Sequence, residues 1–544
     1  MTAPAPHDIT LVIPVADRPR HLSDCLHTLL ELKRRYPYAG KVMVLVAEDS
    51  RDASSIEQHR AIAASVTAQG IAVHHLGPDA QRALVDSLPA PLRMQLAGII
   101  GDGGSYAHKG ASITRNIAYL WLRRQVQDGR RQLIWFLDSD QEFRVNLATA
   151  AGEEEQYAVD YLNGLDQIFS TTPVRILTGK VVGDPPVSPA VMAGNFLDDV
   201  MAFLADMARC TPQAPCTFHT ARRPAADAAY HDMADMFGFK APEAFRYHCH
   251  LRGAHDHVAC FIHFAARLAR FFDGEHPTRR SVYQPAELLG TLTPARTIYT
   301  GNYVFTPDCL DYFIPFAGLR LRMAGPTLGR IIKAELGAGF VSANLPMLHR
   351  RTVEGLGQSE FRPGIERAQT QIDLSGEFER QYFGDVMLFS MERLTALGYP
   401  AVSPAEDELT RTVGEVEAQM HARYGHKHQQ IVAKIAQLRS LYESDAGWWQ
   451  QRDELAGARQ LFGQFIANMQ HNFGDEARAW QQVNDLSRRQ ARTAAIIDAL
   501  RRYPEDRNAW RSVLGQAFEQ RGDPVTHADV PFPQPSPLPE GKGI

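Results

Sequence analysis

The sequence predicts an α/β fold, a mixed and mostly parallel sheet with helices on both faces, followed by an α-helical region. Three observations predict it. Between Asp8 and about Thr178, short apolar runs alternate with helix-length segments, the pattern of successive βαβ units. The run Ile134-Trp135-Phe136-Leu137 is apolar at every position, as a strand covered on both faces must be, and it leads directly into Asp138-Ser139-Asp140. From about Ser375 to Gln520, strand signals give way to apolar residues three and four apart.

Taken in order, the first strand is ITLVIPV, ending at Pro14-Val15, and HLSDCLHTLLELKRRY follows as an amphipathic helix. KVMVLVAED is a second strand, which ends in the acids Glu48 and Asp49. Asp52, just before SSIEQHRAIAASVTAQ, reads as the N-cap of the next helix. IAVHHLG is a third strand, a helix runs from Gly110 to about Gln125, and the fourth strand ends at Asp138. Right-handed crossovers between parallel strands put helices on both faces. Further on, VRILTGKVV, TIYTGNYVFTP and GFVSANLPMLHRR are strand-like runs separated by Pro- and Gly-rich connections. HQQIVAKIAQLRSLY and ARQLFGQFIANMQHNF carry helical periodicity, and VPFPQPSPLPEGKGI is a proline-rich tail. The expected organisation is an α/β domain over 1–372, divided near 145, then a helical domain over 373–521 and an extended tail over 522–544.

Composition removes several classes of function. With 57 basic and 62 acidic side chains the net charge is -5, which gives no electrostatic footprint for nucleic acid. No window approaches the uninterrupted apolar length of a membrane span, and the N-terminus lacks the basic and apolar regions of a secretion signal. The six cysteines form no C-x-x-C pair, so no disulfide framework or zinc ribbon is expected, and a reducing cytoplasmic setting is. No repeat of fixed period is present.

Chemistry concentrates at three places. Open α/β sheets bind ligands beyond the carboxyl ends of their strands, where Glu48, Asp49, Asp138 and Asp140 are expected. Carboxylates at strand ends accept hydrogen bonds from a ribose or a base edge. In AHKGASITRNIAYLWL, Lys109 and Arg115 flank a helix start, whose free amides suit phosphate. Asn116 beside them reads equally as a buried hydrogen-bonding residue. Two carboxylates spaced i and i+2 after a buried strand can share one hard divalent cation, Mn²⁺ or Mg²⁺, with phosphate oxygens. Such a cation neutralises charge growing on a departing diphosphate.

The order LVIPV, VAEDSRD, KGASITRNIA, IWFLDSDQEF resembles the nucleotide-binding half of family 2 glycosyltransferases of the GT-A fold, closely over about 1–145 and loosely over the following 200 residues. The resemblance implies transfer of a sugar, by default from a UDP-sugar, to an acceptor hydroxyl. It assigns Pro14, Val15, Glu48 and Asp49 to base and ribose, and Lys109, Arg115 and Asn116 to the diphosphate. Asp138 and Asp140 fall to the metal. It also places His349 where several GT-A enzymes supply a further metal ligand, with Arg350 and Arg351 near the phosphates, and makes 146–372 the acceptor half.

Two departures stand out. The chain reads AEDSRD where family 2 usually has Asp-Asp-Gly-Ser-like residues, and LRLRMAGPTLGRII carries no acid where an inverting member has its catalytic base. The base then comes from elsewhere, with Asp256, Asp308 and Asp311 as candidates, or the enzyme retains configuration and needs none, or the protein binds donor without turnover. That last alternative is a nucleotide-binding or scaffold protein on a decayed transferase fold. Nucleotidyl transfer is disfavoured because the first strand runs into PVADRPR without a Gly-rich phosphate loop.

YHCHLRGAHDHVACFIHF concentrates His248, His250, His255, His257 and His263, but its spacing matches no closed zinc site, so structural or acceptor-contacting histidines are expected. Asp184 before Pro185-Pro186 marks a stiff extended loop, suited to shaping a pocket or simply to joining strands. The helical region is free to dimerise the protein, recruit a partner or cover the acceptor site.

Overall fold

The computed structural model describes residues 5–127, 129–149, 152–219, 247–353, 356, 359–445 and 447–519. The proline-rich tail therefore lies outside the described residues.

The N-terminal alternation is present as expected: β1 (Asp8–Val15), α1 (Pro19–Arg35), β2 (Val42–Glu48), α2 (Ala53–Ala68) and β3 (Ala72–Leu76). Asp52 caps α2, accepting from the amides of Ser54 and Ser55. Three short helices follow, α3 (Pro78–Asp86), α4 (Ala90–Gln95) and α5 (Ala97–Ile100), before α6 (Ala111–Gln125) and β4 (Gln132–Leu137). The chain then forms β5 (Gln141–Glu142), a hairpin of β6 (Val145–Thr149) and β7 (Gly152–Gln156), α7 (Tyr161–Thr171), β8 (Ile176–Gly183), α8 (Pro189–Ala208) and α9 (His257–Arg267). Next come β9 (Thr293–Pro294), β10 (Asn302–Phe305), α10 (Ala324–Leu336) and β11 (Phe340–His349), and a small hairpin of β12 (Glu366–Ala368) and β13 (Gln371–Asp373). The helical region comprises α11 (Ser375–Ala396), α12 (Glu406–Tyr442), α13 (Ala456–Phe473), α14 (Arg478–Asn484) and α15 (Leu486–Glu519).

The main sheet has the order β3-β2-β1-β4-β10-β8-β11-β5, with β9 also on β11. The first four strands are parallel, β8 and β11 are parallel to each other, and β10 is antiparallel to both its neighbours. The path leaves β1 toward β2 and β3, then returns to its other side as β4. The carboxyl ends of β1 and β4 thus flank a topological switch point, where such sheets open a crevice. Asn302 locks the reversed strand in place. Its side chain accepts from Trp135 Nε1 at 2.9 Å and donates to the carbonyls of Lys180 and Leu345.

Each sheet face has its own core. One is filled from α1 and α7 by residues such as Leu22, Leu29, Leu162 and Leu165. The other is continuous from α6 and α10 into the helical region, joining Tyr119, Ile331, Phe383, Leu438 and Trp510. Trp510 Nε1 donates to the Leu310 carbonyl at 2.9 Å, so the last helix is fastened to the chain just after β10. Among the described residues, no helix is long and apolar enough to cross a membrane.

Candidate functional site

A cleft of about 310 Å³ opens at the carboxyl ends of β1 and β4. Pro14, Val15, Asp49, Arg115, Asp138 and Asp140, all expected site residues, line it. Its other walls come from the loop at Pro186-Val187, the start of α10, the segment Phe361–Pro363 and the first turns of α11.

Asp140 is the focal group. Its Oδ2 accepts from Arg18 at 3.1 Å, whereas its Oδ1 is buried without a hydrogen-bond partner, 3.5 Å from His349 Nε2. The other ring nitrogen of His349 lies 2.8 Å from the Asp184 carbonyl. A proton on that nitrogen leaves the Nε2 lone pair facing Asp140, the arrangement in which a carbonyl orients a metal-binding imidazole. Burial alone would raise the Asp140 carboxyl, but the positive charges that face it, on a protonated His349 ring and on Arg18, outweigh burial and hold the group well below the usual carboxylate range. A cation at Nε2 would take the place of the ring's proton. Asp138, more exposed, is paired with Arg115. A hard carboxylate pair plus one imidazole, with an orphaned buried oxygen between them, fits Mn²⁺ or Mg²⁺. Space for the Asp138 carboxylate depends on Gly301, where a Cβ would collide with Asp138 Oδ2.

The stiff loop contributes directly. Asp184 accepts the Arg351 amide on Oδ2 at 2.8 Å and orients His349 through its carbonyl. Strand periodicity, continued past the end of β11, separates neighbouring cations. His349 and Arg351 turn toward Asp140, while Arg350 turns to Glu142 and Glu155. Arg351 therefore lines the cleft, whereas Arg350 does not.

Several expected contacts are corrected. Glu48 is fully buried and lies outside the cleft, saturated by His59, His75 and the amides of Asp49 and Ser50. Burial would raise its carboxyl, but those donors hold it below the usual range. It organises the turn after β2. Asn116 is also interior, bridging the backbone of Ile99 and Ile314, so the reading as a buried hydrogen-bonding residue holds. The Lys109 ammonium is consumed by Asp49 Oδ1 and the carbonyls of Glu48 and Tyr106. Asp49 also accepts the amides of Lys109 and Gly110, so this cluster sets where α6 begins.

None of the three candidate bases reaches the cleft. Asp256 caps α9. Asp308 pairs with Arg175 and Asp311 with Arg511. The physical reason for the last two is strand direction. Phe305 pairs with Ile134 and Asn302 with Leu137, so the chain leaving β10 emerges at the amino ends of the parallel strands.

Sequence reasoning missed most of the cationic wall. Among the described residues, Arg18, Arg115, Arg322, Arg351, Arg362 and Arg380 face four carboxylates, Asp49, Asp138, Asp140 and Glu377. Burial first, and then the charge of Arg351, push the Arg362 guanidinium well below its ordinary value. A buried group under that repulsion favours an anionic ligand. Glu377 is buried, ion-paired with Arg322 and 3.6 Å from Arg380, so it braces cations rather than offering a free base. The starts of α6 (Ala111, Ser112) and α10 (Ala324, Gly325) open onto the same cleft. Phe361 closes over it, its ring stacked on His108 at 4.0 Å and its carbonyl accepting from Arg18 at 2.8 Å. Arg18 carried a weak signal in the loop after the first strand. Glu377 and Arg380 carried none, because periodicity reads α11 only as a helix.

No family model matches the chain. No curated protein matches it either. Among solved structures it is similar to glucosyl-3-phosphoglycerate synthase from Mycobacterium tuberculosis in complex with Mn²⁺, UDP and glucosyl-3-phosphoglycerate, at 11% identity and a TM-score of 0.27, covering 63% of this chain and 72% of that one. It is similar to mannosyl-3-phosphoglycerate synthase from Rubrobacter xylanophilus at 14% identity and a TM-score of 0.20, covering 35% and 47%. It is similar to S. aureus TarS at 11% identity and a TM-score of 0.27, covering 85% and 55%. Likenesses at this level carry nothing about residues or substrates. The GT-A-like character of the fold rests on the strand order, with Asp138-Ser139-Asp140 at the carboxyl end of β4 beside the switch point.

Proposed function

We propose that the protein is a metal-dependent glycosyltransferase acting on a nucleoside-diphosphate sugar, with a UDP-sugar as the donor the family resemblance favours. One observation carries the reading: the unpartnered Asp140 oxygen faces His349 Nε2 beside Asp138, in a cleft whose arginines outnumber its carboxylates. Asp138, Asp140 and His349 hold the divalent cation, Mn²⁺ or Mg²⁺. When bound, the cation supplies positive charge against the departing diphosphate. Arg351 and Arg362, with the amides at the start of α6, hold the diphosphate oxygens in place. Arg18 does two things at once, fixing Asp140 and tying down Phe361, which keeps water from the reacting face. Pro14, Val15 and Asp49 form the nucleoside end.

Among the described residues, every carboxylate lining the cleft has a partner: Asp49 has Lys109, Asp138 has Arg115, Asp140 has Arg18 and Glu377 has Arg322. A general base must be free to reach the acceptor proton. This favours retention of configuration, which needs no side-chain base, and the anomeric configuration of the first product, read by NMR, decides it.

The decisive experiment is titration calorimetry of UDP and GDP, with and without Mn²⁺, into the protein and into an Asp138→Ala/Asp140→Ala variant. Metal-dependent binding of one nucleotide, lost in the variant, is expected. No binding of either nucleotide to folded protein sinks the proposal and leaves the scaffold reading. Binding without sugar transfer to any acceptor or to water also favours the scaffold.

A further inference from the structure

The second constellation of ligand-type side chains lies away from the cleft, where the chain leaving α8 meets the chain entering α9. Cys216, His219, Cys249 and His255 each bring one ligand atom into a cluster in which all four atoms lie within 4.8 Å of one another. His219 Nε2 and His255 Nε2 are 3.2 Å apart, and Cys249 Sγ is 3.3 Å from the same His255 nitrogen. Two imidazole nitrogens and a sulfur at such separations are the edges of a small polyhedron. With zinc–sulfur bonds of about 2.3 Å and zinc–nitrogen bonds of about 2.0 Å, a tetrahedral site has N–N edges of about 3.3 Å and S–N edges of about 3.5 Å.

The surroundings are those of a built site. His255 Nδ1 lies 2.8 Å from the Gly253 carbonyl, which fixes the ring and leaves Nε2 as the ligand atom. The two halves of the set are cross-tied, the Cys216 amide donating to the His255 carbonyl at 2.9 Å and the Cys249 amide to the Phe218 carbonyl at 2.8 Å.

We propose that Cys216, His219, Cys249 and His255 form a structural zinc site of the S₂N₂ type. Four protein ligands leave no open position, so the site is structural rather than catalytic. Two thiols lose their protons on binding, and the resulting pair of thiolates neutralises the cation. A soft S₂N₂ set also selects against the Mn²⁺ or Mg²⁺ that suits Asp138 and Asp140. The two halves of the site are separated in the chain by more than two dozen residues, so the metal ties together two distant points of the chain and fixes the approach to α9. Of the five histidines in the His-rich segment only His255 takes part. The remaining ligands come from before it and from its own Cys249, which is why histidine spacing alone did not reveal the set.

The test uses the full-length protein. Elemental analysis after purification is expected to find stoichiometric zinc, and replacement by Co²⁺ to give the visible bands of a tetrahedral thiolate site. Cys249→Ser and His255→Ala are expected to lose the metal, whereas Cys260→Ser, at a buried thiol beside the site, and Asp138→Ala/Asp140→Ala are expected to keep it. Should the first two variants fold poorly, alkylation of the unaltered protein gives a second reading. Zinc protects Cys216 and Cys249 from iodoacetamide, and chelation exposes them. Failure of folded, reduced protein to bind zinc or Co²⁺ overturns the proposal. So does a native Cys216–Cys249 disulfide, or an unchanged Co²⁺ spectrum in the His255→Ala variant.

Discussion

At Asp140, burial and negative charge are reconciled by what surrounds the carboxylate: Arg18 and Arg351 at one oxygen, 3.1 and 3.6 Å away, and His349 Nε2 3.5 Å from the other. Neighbouring residues divide the labour more sharply than their adjacency suggests. Arg115 reaches the cleft and Asn116 the core, so their substitutions should separate. Asn116→Ala orphans the buried Ile314 amide and the carbonyls of Ile99 and Ile314, and should cost about 1–3 kcal/mol or more of stability by denaturant titration. Arg115→Ala should leave the fold intact and weaken metal-dependent nucleotide binding in calorimetry. Gly301→Ala should do likewise, by more than about tenfold, because the new methyl displaces the Asp138 carboxylate, which we propose as a metal ligand. At this scale the strand-end positions of Asp138, Asp140 and His349 were legible in the sequence, since apolar runs mark where strands stop. The partners of Glu48 and Lys109 were not legible, because the sequence shows that a charge is near the site, not which group pairs with it.

Among the elements, α11 links the helical region to the cleft. Glu377 and Arg380 on its first turns face the ligand space, while Asp385, two turns on, is buried against α12. Burial pushes the Asp385 carboxyl up to about 7, even though Tyr424 and Gln381 donate to it. The unfolded value is about 3.9, so the native state holds this proton more tightly. Its contribution to stability is therefore complete below about pH 4, and is lost as the pH rises to about 7. Asp385→Asn should flatten the fall in melting temperature across that window, as read by calorimetry or circular dichroism. A variant whose pH dependence matches the parent would show that Asp385 titrates normally. Elements with one strong periodicity, such as β1, β2, α6 and β4, were legible to within a residue or so. The reversal of β10 was not, because a strand reads the same in either direction, and it carries Asp308 and Asp311 to the wrong end of the sheet.

For the whole molecule, the helical region completes the α/β domain on the face where its core is continuous from Tyr119 to Trp510. A chain ending at residue 372 should expose that core, losing Glu377 and Arg380 from the cleft as well. We expect such a truncation to aggregate or stay unfolded in gel filtration, and limited proteolysis of the intact protein not to release it as a stable piece. Trp510→Ala, which removes a fully buried indole and its bond to Leu310, should cost about 3–5 kcal/mol in denaturant unfolding. The sequence by itself determined the alternation of the first strands and helices and the acids at the ends of β2 and β4, because periodicity and strand-end position are local properties of the chain. Only the tertiary structure decided which cations face the cleft, which carboxylates are already paired and which cysteines meet which histidines. Those are matters of distance between segments far apart in the chain, and pairing at a few ångströms has no counterpart in local pattern.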